Sequence, residues 1–451
     1  MLDLFQKVLL KITKGKTDSM SIRDIRLALS ILTAGLDKFI GIGSTLITMP
    51  ITLNYLGPIQ FGIWMVISGF VTFLSFSDLG IGMGLQNALS RACGESDKES
   101  PKHLISSAYF IVFCAIILMS VLVLLLGNVV SIANIFSLDS GQDLNIAAQT
   151  LSYCLIIFFI GIPISLIQRI LNGYQKTYIA NNILLVGKII SLISIFVSVW
   201  LDLGLVGLAV LFMVSPLLSM LCYSLYFFST NSELFPRINR ISKEHIKKIM
   251  SSGFWTVFVQ LIYTAKMNIP VIIVSTSIGM VAVAEYSIAQ KLIGVGALII
   301  NMALQPLWTV YGEAYYKRDR VWIEKTLFKS IRIVLMLTGF CSGIFMLFGQ
   351  KLIEFWLGDS VLPSLSLIFC FSLWMIASSV NICFAMLLNG TGNFKNQSLF
   401  SVILVSTALI IAYSSVSSFG MTSVIFSIFL IAELLRIPLF YMETKKVIST
   451  I

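Results

Sequence analysis

Apolar segments long enough to cross a bilayer recur twelve times along this chain of 451 residues. A helix needs about 20 mostly apolar residues to cross the hydrocarbon layer. The segments, numbered here as spans 1 to 12, lie at residues 28–54, 60–90, 104–134, 146–171, 177–200, 203–229, 250–277, 281–312, 327–349, 362–389, 394–415 and 419–442. This pattern predicts an all-α integral membrane protein with twelve transmembrane helices.

The polar connections divide the spans into six and six, and the two sets resemble each other. "ILNGYQKTYIANNILLVG" from residue 170 follows span 4, and "LLNGTGNFKNQSLFSVIL" from residue 387 follows span 10. "YLGPIQFGIW" from residue 55 and "SIGMVAVAEY" from residue 277 each join the first two spans of their set. The offsets of 217 and 222 residues nearly agree, and an even number of spans gives a parallel repeat. The sequence therefore predicts two pseudo-repeated six-helix bundles, residues 28–229 and 250–442.

Basic residues are concentrated on one side of this topology. The amino tail, the carboxyl tail and the connections after even-numbered spans hold 25 of the 31 lysines and arginines, and Lys351 alone follows an odd-numbered span. Such an excess marks cytoplasmic segments. We therefore expect both termini, and the segments 1–27, 230–249 and 443–451, to be cytoplasmic. The net charge of +10 is then a topological signal and an attraction to anionic lipid, which argues against nucleic acid as a partner.

The amino-terminal segment 1–27 carries a further pattern. Leu2, Phe5 and Val8 share one face of a helical wheel with neighbouring apolar residues, and Lys7 and Lys11 lie opposite. This arrangement suits an amphipathic helix on membrane lipids. A polar tail without that contact is an equally good interpretation.

Composition argues against a soluble protein and against an enzyme. Hydrophobic residues make up 57% of the chain and charged residues only 12%, with a mean hydropathy of +0.94, whereas soluble domains carry about 25% charged residues. The seven cysteines lack metal-site spacing and only two histidines occur. No phosphate-binding loop is present, and the connections opposite the basic ones are too short for a separate active site. We expect no cofactor and no catalytic centre.

Nine charged residues fall at membrane depth, where such groups are costly and normally face a cavity or a partner. They are Asp37, Lys38, Asp78, Lys188, Lys266, Glu285, Lys291, Glu433 and Arg436. Six of the nine lie on spans 1, 2, 7 and 8, the equivalent pairs of the two halves. The sequence therefore predicts a polar cleft between the halves, built mainly from these four spans.

Several pairings of these charges remain open from sequence. Glu433 and Arg436 are three residues apart and can neutralise each other. Lys188 is either a partner of Asp78 or an isolated site, and Lys38 is either a ligand-binding group or a partner of Asp78. In span 2, Gly80 and Gly84 are interpreted as a close helix-packing face.

One stretch also resembles a known family. "NYLGPIQFGIWMVISGFVTFLSFSDLGIGMGLQNALSRA", residues 54–92, is similar to the corresponding region of bacterial polysaccharide-transport proteins, the flippases for O-antigen and capsule repeat units in the multidrug/oligosaccharidyl-lipid/polysaccharide (MOP) exporter superfamily. The resemblance implies a fold like that of the MATE transporters, located in the bacterial inner membrane. It implies a substrate of undecaprenyl-diphosphate-linked oligosaccharide moved by alternating access, with ion coupling. A glycan polymerase and a chain-length regulator are expected partners.

These expectations assign roles to the charged residues. Lys38, Lys266 and Lys291 would bind the substrate diphosphate, and Asp37, Asp78 and Glu285 would be the ion-coupling groups. An ion-coupled drug or metabolite antiporter of the same fold is the main alternative, although it would favour a more acidic, aromatic cavity. A membrane-embedded glycan polymerase would need a larger outer loop, and a peptidoglycan-precursor flippase would have two further helices.

Overall fold

The structure is a computed structural model that describes residues 22–75, 80–95, 97, 99–129, 132–138, 141–358, 361–391 and 394–450. Within these residues the regular structure is helical and contains no strand. Spans 1 and 2 are two helical stretches within Ile22–Ser75, separated by a non-helical break at Gly57, and span 2 resumes as Ile81–Gly94. The remaining spans are Ser100–Val129, Gln142–Gly173, Thr177–Trp200, Gly204–Thr230, Lys243–Ser277, Met280–Leu304, Arg320–Leu357, Leu365–Gly390, Phe394–Phe419 and, for span 12, Met421–Ser449.

The twelve predicted spans all correspond to helical structure. Ten described helices are long and apolar enough to cross a membrane, and the first of them, Leu29–Thr72, contains spans 1 and 2. Span 7 adds the shorter apolar helix Leu261–Ser277. The prediction of an all-α membrane protein with this number of spans is confirmed.

The internal repeat is visible in the backbone where each half turns from its first span to its second. Gly57 lies at φ 70°, ψ 170° between spans 1 and 2, and Gly279 lies at φ 122°, ψ 179° between spans 7 and 8. Both conformations favour glycine because a β-carbon clashes there. The two glycines are 222 residues apart, which is the offset that the sequence comparison gave for this pair of segments.

Two spans are interrupted where the sequence predicted continuous helices. Gly80 precedes the helix Ile81–Gly94 in a left-handed conformation, so its predicted place on a helix-packing face is wrong. Span 8 ends at Leu304, and Leu307–Tyr316 follows Pro306 as a separate helix. Proline lacks the backbone N–H that would continue the helix.

The polar connection between the halves is held against span 3. The Ser106 and Ser107 hydroxyls accept hydrogen bonds from the backbone N–H groups of Arg237 and Ser242, each at 3.2 Å. Span 7 begins at Lys243, seven residues before its predicted start. At the other terminus, span 12 continues as a helix to Ser449, through most of the predicted tail.

Spans 2 and 7 lie close together, and glycines permit the approach. A β-carbon on Gly84 would lie 2.0 Å from the backbone oxygen of Ile249, and one on Gly69 would lie 3.2 Å from the side-chain oxygen of Asn268. Gly84 is therefore a close-packing position, as predicted. The two halves of the molecule meet along this pair of spans.

Spans 1 and 8 meet at the end of the membrane opposite the basic connections. Met49 and Leu53 of span 1 pack there in one buried cluster with Ala284 and Ile288 of span 8. The Trp356 indole N–H of span 9 donates a hydrogen bond to the backbone oxygen of Leu46 at 2.8 Å. This end of the interface between the halves is closed by apolar packing.

Candidate transport cleft and cavity

Two lysines, one on span 1 and one on span 8, share a helix face with residues of the closed apolar cluster. Lys38 lies eleven residues, about three helical turns, before Met49, and Lys291 lies seven residues, about two turns, after Ala284. Each lysine therefore lies on the same face as a residue of the closed apolar cluster. Both side chains are exposed. Both spans therefore carry a positive charge beyond the cluster, on the side of the basic connections.

The backbone one turn from Lys38 and from Lys291 has no close neighbours among the described residues. Gly35 and Gly294 lie one turn further toward the basic connections, and a β-carbon on either would meet no atom within 4 Å. Leu36 and Phe39, on either side of Lys38, are 54% and 77% exposed. These open positions fit the predicted cleft between the halves, which stays a prediction; its closed end would be the cluster of Met49, Leu53, Ala284 and Ile288.

The neighbour of Lys38 has a different environment. Asp37 is buried, and its carboxylate oxygen Oδ1 lies 2.7 Å from the Lys188 ammonium of span 5. Lys188 also donates a hydrogen bond to the backbone oxygen of Asp37 at 3.1 Å. Lys188 is therefore not an isolated site, because it pairs with Asp37, and both residues belong to the first half. Among the described residues Lys38 has no carboxylate in ion-pair contact, and Asp78 lies outside them.

A cavity of about 470 Å³ lies inside the second half, among spans 7, 8, 10, 11 and 12. Its wall includes Gly294 of span 8, one turn from Lys291, and the aromatic side chains of Tyr263 and Trp374. The predicted cleft was expected to gather the charges of spans 1, 2, 7 and 8. That expectation is wrong for Lys266, because this side chain lines the cavity of the second half.

A buried charge network forms the polar wall of this cavity. The Lys266 ammonium pairs with the Glu433 carboxylate, and both residues are buried. The Asn381 amide donates hydrogen bonds to the Glu433 backbone oxygen at 2.9 Å and to its carboxylate at 2.8 Å. Arg436 lies only at the limit of ion-pair contact with Glu433, 4.0 Å away. Glu433 is therefore neutralised mainly by span 7, and its predicted pairing with Arg436 is secondary.

The backbone of span 12 is unusual at this network. Residues Ile428–Leu434 form a π-helix, and Glu433 lies in its last turn. A π-helical turn inserts one extra residue and occurs frequently at functional sites.

Several polar atoms around the cavity have no hydrogen-bond partner among the described residues. They are Asn381 Oδ1, Asn389 Oδ1, Gln397 Oε1 and Arg436 Nε. Asn381, Gln397 and Arg436 are at most 9% exposed. Sequence reasoning missed the three amides, although an amide inside an apolar span is itself a signal, because its polar end needs a partner in lipid.

The predicted site residues therefore fall into separate places. Lys38 and Lys291 are exposed, Lys266 belongs to the buried network, and Asp37 belongs to the pair with Lys188. Glu285 is half-buried next to Ala284, near the closed end.

A second cavity, of about 340 Å³, lies at the basic end between the start of span 7 and the connection after span 2. The His245 ring stacks on the His103 ring at a centroid distance of 5.3 Å, and His103 Nδ1 lies 2.8 Å from the backbone oxygen of Arg240. Burial lowers the pKa of His245, with further lowering from Lys248 and His103. Both ring nitrogens of His245 lack a partner among the described residues.

The fold is shared with solved transporters. A MATE-family multidrug resistance transporter of the MOP superfamily, solved in an inward-facing conformation, superposes with a TM-score of 0.77. The match covers 93% of this chain and 98% of that one at 17% identity. The predicted MATE-like fold is confirmed.

Sequence comparison gives the family. A putative O-antigen transporter of Salmonella typhi is 20% identical over 302 residues, covering 66% of this chain and 67% of that protein. A putative O-antigen transporter of Salmonella typhimurium is 22% identical over 346 residues, covering 74% and 77%. Residues 30–308 match the family described as polysaccharide biosynthesis protein. The chain belongs to this polysaccharide biosynthesis family.

Proposed function

We propose that this protein is a flippase that moves undecaprenyl-diphosphate-linked oligosaccharide repeat units, of O-antigen or capsule, across the bacterial inner membrane. The observation that carries the proposal is the exposure of two lysines, Lys38 of span 1 and Lys291 of span 8, which we place on opposite walls of the cleft. The names of the Salmonella relatives support the glycan class.

The chemistry of the cleft fits a diphosphate linked to a lipid. A diphosphate carries negative charge, and its interaction with a lysine strengthens at membrane depth because the dielectric constant is low. Two lysines on opposite walls offer compensating charge from both halves of the protein. The apolar surface beside them, including the exposed Leu36 and Phe39, suits the polyprenyl chain.

The same geometry supports transport by alternating access. The cluster of Met49, Leu53, Ala284 and Ile288 closes the cleft at one end, and rocking of the halves about spans 2 and 7 would open it. We assign ion coupling to Asp37. Its carboxylate joins span 1 to span 5 through Lys188, so a coupling ion bound there would compete with that link. Glu285 and Asp78 remain proposed contributors at the other end of the cleft and in span 2.

Sidedness follows from the charge asymmetry. The basic connections and both termini are proposed to be cytoplasmic, so the cleft would be open to the cytoplasm, where the lipid-linked unit is assembled. A reporter fused after residue 240 should then be cytoplasmic, and one fused after residue 202 should be external. The opposite result at both positions would invert the proposed direction of transport.

Reconstitution tests the function. Lipid-linked repeat units extracted from a host that lacks this protein would be placed in proteoliposomes, and the fraction that an added glycosidase reaches would be measured. The protein should raise that fraction well above the value for empty liposomes. Equal accessibility with and without protein would contradict the proposal. Ethidium efflux from the same vesicles would identify a drug antiporter instead.

A further inference from the structure

We propose that the cavity of the second half binds a sugar residue of the transported oligosaccharide through its hydroxyl groups. This inference rests on the proposed function and adds a site for the glycan to the diphosphate site at Lys38 and Lys291. The cavity volume of about 470 Å³ lies in the range of small-molecule sites. We expect it to hold one sugar residue or two.

The unpaired atoms define the chemistry of the ligand. Asn381 directs its amide N–H groups to two oxygens of Glu433, which fixes the amide orientation and leaves its Oδ1 without a donor. Asn389 Oδ1 and Gln397 Oε1 are likewise without donors among the described residues. Three amide oxygens in one wall call for a ligand with several hydrogen-bond donors. Sugar hydroxyl groups supply such donors.

Other ligand classes fit this wall less well. Lys266 and Arg436 together outweigh the single carboxylate of Glu433, so the network disfavours a metal cation. A phosphate group brings only acceptors at neutral pH, and the three amide oxygens would repel it. Arg436 Nε, a buried donor without a partner among the described residues, suits a ring oxygen, an acetamido oxygen or a carboxylate of a sugar.

The cavity also offers aromatic surface that suits the apolar face of a sugar ring. Trp374 and Tyr263 lie in its wall and present aromatic surface. The C–H groups of a sugar ring are weakly positive and pack favourably on the negative faces of aromatic rings. Trp374 is only 5% exposed, so it is already held in place by its neighbours.

The position of the cavity connects it with the proposed diphosphate site. Gly294 is part of the wall and lies one helical turn from Lys291. A lipid-linked sugar with its diphosphate at Lys291 can therefore extend past Gly294 into the cavity. A β-carbon at Gly294 would meet no atom within 4 Å, so we use a larger residue there to reduce the space at this wall of the cavity.

The test uses the repeat-unit oligosaccharide, released by mild acid from the lipid extract of a host lacking this protein. Its binding to the full-length purified protein would be measured by calorimetry. We expect Gly294→Phe, and separately Asn389→Leu with Gln397→Leu, to weaken binding by at least about tenfold. Gly339→Phe is the matched control, because Gly339 also has open space around it and lies in span 9, which does not line the cavity.

The outcomes separate this inference from the proposed function. If wild-type protein moves the intact lipid in proteoliposomes but binds no free oligosaccharide, the sugar site is wrong and the flippase stands. Unchanged binding in both cavity variants would equally overturn the sugar site. If wild-type protein moves no lipid at all, the proposed function fails. Binding of inorganic diphosphate that is lost in the cavity variants would show that the cavity holds the head group instead.

Discussion

The Asp37 carboxylate lies 2.7 Å from the Lys188 ammonium, so that span 1 is joined to span 5 by an ion pair inside the first half of the protein. The next residue along span 1, Lys38, is exposed. Successive residues on a helix point about 100° apart, and the two charges therefore serve different surfaces. This division explains how an acid and a base can stand side by side in an apolar span.

Lys188→Ala should destabilise the protein, because it leaves the Asp37 carboxylate buried without its partner. Removing one member of a buried pair costs about 3–5 kcal/mol, and the partial exposure of Lys188 reduces this to about 2–4 kcal/mol. Adding Asp37→Asn should restore most of the loss. Thermal unfolding in detergent would check both. A Lys188→Ala protein as stable as wild type would contradict a structural pair.

The network around Glu433 predicts which of two substitutions, Glu433→Gln or Lys266→Met, destabilises the protein more. Glu433→Gln leaves the buried Lys266 and Arg436 with no carboxylate, at a cost of about 3–5 kcal/mol. Lys266→Met should cost roughly half as much or less, because Glu433 keeps Arg436 at 4.0 Å. Combining the two changes should recover part of the Glu433→Gln loss. Lys351→Met, at an exposed lysine, is the control in the same melting assay. The reverse order would show that Arg436 does not share the charge of Glu433.

His245 predicts a pH dependence of stability. Its pKa is lower in the folded protein than in the unfolded chain, so the unfolded chain binds more protons. The contribution of His245 to stability should therefore be complete above its pKa in the unfolded chain, about 6.5. It should decrease as the pH drops toward the lowered pKa in the folded protein. His245→Gln should flatten the melting temperature between pH 7 and pH 5. An unchanged slope in that variant would assign the pH dependence to other groups.

The fold could be predicted from the sequence because each span is recognised from residues that are close together in the chain. Twelve apolar segments, the basic connections and the repeated turn at Gly57 and Gly279 can each be recognised within a short window. Glycine at both turns is required by the positive φ, so even the offset of the repeat was correct. The interruption at Gly80 was missed because a glycine inside an apolar run fits both a packing face and a break.

The site could be predicted only in part, because its partners are distant in sequence. Lys266 and Glu433 are 167 residues apart, and Asp37 and Lys188 are 151 residues apart. Nothing in a local pattern distinguishes a lysine that pairs across the bundle from one that remains exposed. The charge count correctly marked these positions as unusual, and the packing of the helices decided which of them stayed free to meet a ligand.

The central claim is that Lys38 and Lys291 hold the diphosphate during crossing. Export of surface glycan by Lys38→Ala and Lys291→Ala, normalised to membrane protein level in a host lacking this protein, tests it most directly. We expect each variant to lose about tenfold or more, since one charge-assisted contact contributes roughly 1.4 kcal/mol or more. Arginine at either position should retain partial export, and Lys351→Ala should export normally. Normal export from both alanine variants, singly and combined, would contradict the account.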